Sequence, residues 1–187
     1  LETGVSGCAA ARTASSTVYS VSDSNSLDMT GSMTIEAWVR FDLPPPGGSR
    51  IGIVDKHINY GLFYYSDGTF RFPSPAGVAL SQIPPIGTGP GTGTWFHIAS
   101  TYNSATGQAC IIYDGTNAQC QTLGGLMPAS ADLVLLGDSP GPADLAYGGI
   151  DNLMIWNVAS SQTDILPVLV HLHADANVQH NLWMVSN

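Results

Sequence analysis

The chain has 187 residues, 44% hydrophobic and 10% charged, with 14 acidic residues against five basic ones and a net charge of −9. This describes a folded chain of ordinary domain size and excludes a disordered one. An acidic chain without a Lys/Arg cluster excludes nucleic acid and anionic membranes as partners, and no apolar run reaches the roughly 18 residues of a spanning helix.

Residues 1–16 are small and polar and read as an entry or linker segment, and Leu1–Cys8 lacks the basic and apolar regions of a signal peptide. From Val18 the text alternates strand and turn. Val18–Val21 is a short strand, followed by a Ser/Asp-rich loop to Gly31. Met33–Phe41 alternates strictly, with Met33, Ile35, Ala37, Val39 and Phe41 on one face and Thr34, Glu36, Trp38 and Arg40 on the other. Residues 43–50 hold three prolines and two glycines and form a loop.

Strands are expected at Ile51–Lys56, Tyr60–Tyr65 and Thr69–Phe72, the last two joined through Ser66-Asp67-Gly68. Residues 73–93 contain five prolines and five glycines and read as a long irregular loop. Trp95–Tyr102, Gln108–Tyr113, Asn117–Leu123, Leu133–Leu136 and Gly148–Asn157 complete the strands. Ser160–Ile165 carries a helix-start pattern, limited by Pro167. Many short strands with Gly/Pro/Asp turns predict an all-β sandwich or barrel.

Cys110 and Cys120 stand symmetrically about Gly115, in a hairpin whose turn signal is Asp114-Gly115. They are expected to face each other as a cross-strand disulfide, which implies an oxidising compartment; two reduced thiols are the alternative. Cys8 is left over.

The order of strand texts resembles the laminin G-like domains of the concanavalin A-like superfamily. Residues 23–39 resemble their opening strand, and Ile53-Val54-Asp55-Lys56 the next core strand. Gly93-Thr94-Trp95-Phe96-His97-Ile98-Ala99 resembles GxWxHIA, and Ile111-Ile112-Tyr113-Asp114-Gly115 resembles LYxDG. Leu135–Asp138 with Gly148–Asn157 resembles the closing GxIDxVxIW strand. The resemblance covers 17–166 and implies a two-sheet antiparallel jelly-roll sandwich with a concave face. Residues 167–187 are then a C-terminal extension packing on or completing it.

Many relatives of this fold hold one Ca²⁺. The resemblance places Asp151 on the closing-strand motif, near a region where Asp23 and Asp28 could supply further oxygens. The alternative is that Asp151 caps a turn. Glu36 and Lys56 lie in strongly apolar strands and are expected to form a structural ion pair with each other. His97 reads as a packing residue with a satisfied ring, and His57, His171, His173 and His180 lack zinc-ligand spacing.

For ligands, His57, Asn59, Tyr60, Tyr64, Tyr65 and Asp67 combine aromatic faces with planar polar groups, the mixture that sugar recognition uses. Core filling is the alternative for about half of such aromatics. Glycoside hydrolysis normally needs two carboxylates across the scissile bond. The chain has only Glu2 and Glu36, and no strand carries clustered acids at alternate positions. The reading is therefore a secreted or cell-surface module that binds glycan or a surface protein, as part of a larger protein or assembly. A structural spacer is the alternative, and a carbohydrate-active enzyme the third.

Overall fold

The computed structural model describes residues 2–3, 5, 8–12, 19–73, 80–82, 91–125, 127–137 and 148–165. The strands are β1 (Glu2–Thr3), β2 (Cys8–Arg12), β3 (Tyr19–Val21), β4 (Met33–Phe41), β5 (Arg50–Lys56), β6 (Tyr60–Tyr65) and β7 (Phe70–Pro73). They continue as β8 (Leu80–Gln82), β9 (Trp95–Asn103), β10 (Gln108–Tyr113), β11 (Asn117–Thr122), β12 (Val134–Leu136) and β13 (Gly148–Trp156). A short 3-10 turn spans Asn25–Leu27, and residues 162–165 form a helical turn.

Two antiparallel sheets face each other. One runs β1-β2-β13-β4-β9-β10-β11 and the other β3-β12-β5-β6-β7-β8. The inward alternation of β4 does what its pattern requires: Met33, Ile35, Ala37, Val39 and Phe41 enter the core. Across the gap, Phe41 stacks on Tyr64 of β6 with ring centroids 5.3 Å apart. Phe96 and Tyr102 of β9 meet Phe70 and Phe72 of β7 in the same layer. This is the all-β sandwich expected.

Two stretches depart from the expectation. Residues 8–12, read as linker, form β2 and pair with β13. Residues 80–82 form β8 within a segment read as irregular. Neither stretch alternates in hydropathy, so backbone pairing leaves no periodic trace there. The outward residues Thr34, Glu36 and Trp38 of β4 are buried as well. Residues 167–187, with His171, His173 and His180, lie outside the described residues.

Two backbone devices shape β13. A bulge lies between Asp151 and Met154, with Asn152 at φ 50°. Gly148 lies so close to β4 that an added Cβ would fall 1.8 Å from the Arg40 carbonyl oxygen. Only glycine tolerates that approach.

Candidate functional site

The tyrosine-bearing hairpin divides into two sets of residues. Alternation along β6 sends Tyr60, Leu62 and Tyr64 into the core. Burial pushes the Tyr60 phenol up, with Asp28 and Asp23 adding to the rise, and its hydroxyl has no hydrogen-bond partner among the described residues. Burial also raises Tyr64, with a smaller contribution from Asp67. Asn59 is fully buried in the β5–β6 turn. Its Oδ1 accepts the Met29 N–H at 3.1 Å, and its Nδ2 donates to the carbonyls of Met29 and Pro128. These three residues therefore lie within the architecture.

The others reach the surface. His57 is exposed, and Tyr65 is half-buried with the Arg71 guanidinium 3.7 Å from its ring centroid. Asp67 is exposed and accepts from the Thr69 hydroxyl, the Thr69 N–H and Arg71. The Thr69 hydroxyl bond, assisted by the Thr69 N–H and Arg71, holds the carboxyl below its usual range.

Asp23 and Asp28 converge, but on an ammonium. Lys56 Nζ donates to Asp23 Oδ1 at 2.5 Å, to the Ser130 carbonyl at 2.6 Å and to the Asp132 carbonyl at 2.9 Å, with Asp28 Oδ1 at 3.3 Å. Asp151 belongs to the other sheet, opposite Trp38, where its Oδ1 accepts the Asn152 N–H and supports the bulge. Among the described residues, no group of three or more His, Cys, Asp or Glu is placed to hold a metal ion.

The Glu36–Lys56 pair does not form, because Glu36 has the outward parity of β4, between the core residues Ile35 and Ala37, and points away from the sheet that carries Lys56. Glu36 instead accepts the Trp156 indole N–H at 2.8 Å, and its other oxygen lies 3.6 Å from His97 Nε2. His97 packs against Trp38 at 5.6 Å between centroids. Its ring is not satisfied as expected: both nitrogens lack a hydrogen-bond partner among the described residues.

A groove missing from the sequence reading opens on the outer face of the first sheet. It encloses about 350 Å³ between β9, β10 and β11 and the segment after β13. Thr101, Asn103, Gln108, Ser160, Ser161 and Gln162 supply hydroxyls and amides, and the Cys110–Cys120 disulfide forms part of its wall. The hairpin register places those cysteines directly opposite each other, as the Asp114-Gly115 turn implied.

The far wall is anchored at three points. Thr34 Oγ1 donates to the Val158 carbonyl and accepts the Ser160 N–H, both at 2.8 Å. Gln162 Nε2 donates to the carbonyls of Gly115 and Thr116. Ile165 packs on Ala99 and Ile112. Ser161 and Asp164 close the start of the helical turn, and the Ser161 hydroxyl bond lowers the Asp164 carboxyl. The outward polar residues of β9 and β10 were the available signal for this groove.

Residues 13–166 match the model of the concanavalin A-like lectin/glucanases superfamily. The chain belongs to that superfamily. Solved structures share the fold at low identity. An SAP-like heptameric pentraxin from Limulus polyphemus is 14% identical, with a TM-score of 0.55 over 79% of this chain and 70% of its own. A candidate carbohydrate binding protein from Bacteroides ovatus is 15% identical, with a TM-score of 0.54 over 79% of this chain and 43% of its own. Trypanosoma rangeli sialidase is 17% identical, with a TM-score of 0.56 over 79% of this chain and 24% of its own. This superfamily chain thus spans less than half the length of the last two. A search of the curated proteins finds no match.

Proposed function

We propose that the chain is an extracellular recognition domain that binds glycan in the groove above β9–β11. The carrying observation is the groove itself. Its volume of about 350 Å³ falls in the ~300–1,000 Å³ range of small-ligand sites. Its hydroxyls and carboxamides are the planar and pivoting groups that pair with sugar hydroxyls, and the disulfide fits an oxidising compartment.

Binding is favoured over turnover by the lining. None of the described residues around the groove is Asp or Glu. Glycoside hydrolysis ordinarily places two carboxylates roughly 5–9.5 Å apart across the bond. The test is a glycan array probed with the wild type and with Asn103→Ala/Gln108→Ala. Binding of a neutral glycan that is lost in the double variant is expected. Absence of glycan binding, or binding indifferent to both substitutions, overturns the reading.

A further inference from the structure

We propose that the Lys56 ammonium is the structural cation of this domain, occupying the place that a bound divalent ion would take between Asp23 and Asp28. Lys56 is the chain's one lysine and is fully buried at the end of β5. Its Nζ meets four oxygens at 2.5–3.3 Å: two carboxylate oxygens and two backbone carbonyls. Those are the donor types that hard cations select. The Ca²⁺ implied by the superfamily does not fit these residues. The ammonium fills the point where the oxygens converge, its charge repels a second cation, and Asp151 is on the opposite sheet.

The arrangement also does what a structural ion does. It ties the loop carrying Asp23 and Asp28 and the loop carrying Ser130 and Asp132 to the end of β5. Asp28 Oδ1 accepts the Ser130 N–H at 3.2 Å, and Asn59 adds its bonds to Met29 and Pro128, so both loops are fixed from one side. A covalently attached cation needs no ion from solution. The rim of the sandwich is therefore set without Ca²⁺.

Thermal unfolding of the full chain in CaCl₂ and in EDTA tests this. The wild-type Tm is expected to be the same in both. Lys56→Met leaves two carboxylates facing each other without a cation, and is expected to lower Tm by about 10 °C or more. Lys56→Ser empties the space as well, and is expected to recover part of its loss in millimolar CaCl₂; Lys56→Met, whose side chain fills the space, is not. A wild-type Tm that rises with Ca²⁺, a Lys56→Met variant as stable as the wild type, or a Lys56→Ser variant blind to Ca²⁺ overturns the proposal. Should both variants fail to fold, amine acylation of the wild type decides. Lys56 is expected to react only in denaturant, and reaction in the folded chain as fast as at the terminal amine overturns the proposal.

Discussion

Trp156 of β13 donates its indole N–H to Glu36 of β4 at 2.8 Å, beneath a covered face of the first sheet where Glu36 is 2% exposed. A carboxylate so buried depends on each donor it has. Trp156→Phe keeps the ring and removes the donor. It is expected to cost roughly 1.5–3 kcal/mol, the range for hydrogen bonds to charged groups. Urea unfolding of the variant beside the wild type measures it; an unchanged midpoint would show that the bond contributes nothing.

Asn59 and His57 stand two residues apart and should behave oppositely. Asn59→Ala orphans the Met29 N–H and leaves the Met29 and Pro128 carbonyls without that donor. A loss of about 3 kcal/mol is expected from such buried unpaired groups. His57 is exposed, and His57→Ala should stay within about 0.5 kcal/mol of the wild type. Denaturant titration of both variants reads the contrast.

The Asp67 carboxyl, held below its ordinary value of 3.8, adds stability that is present above that value and lost as pH falls through the lower folded-state value. Asp67 is largely exposed, so the contribution is small. The difference in unfolding free energy between the wild type and Asp67→Asn should be constant at neutral pH. It should shrink once pH drops below about 4. A difference that grows on acidification would reverse the sign assigned here.

Reducing the Cys110–Cys120 bond, which closes a separation of ten residues, should cost about 2–3 kcal/mol. Cys110→Ser/Cys120→Ser should match the reduced wild type in guanidinium unfolding. The variant should also weaken glycan binding, because the bond lines the groove.

Much of the fold was legible from sequence because its strands are strictly patterned. The strict alternation of Met33–Phe41 marked β4 at both ends, and Asp114-Gly115 set the β10–β11 register and so the disulfide. The burial of Tyr60 and Tyr64 was also legible in principle: both share parity with Leu62, which marks that face as core. The partners of Lys56 were not. Asp23 and Ser130 lie 33 and 74 residues away, in loops whose positions no periodicity encodes. The groove was hidden for a similar reason. Its floor comes from the outward parity of β9 and β10, but its far wall is the segment after β13, brought over by Thr34 and Gln162.

Recognition in this groove is open to amide chemical-shift mapping with the neutral glycan that scores highest on the array. Shifts are expected to concentrate at Asn103, Gln108 and Ser160–Gln162. Shifts gathered instead around Tyr65, Asp67 and Arg71, or none at saturating glycan, would contradict it.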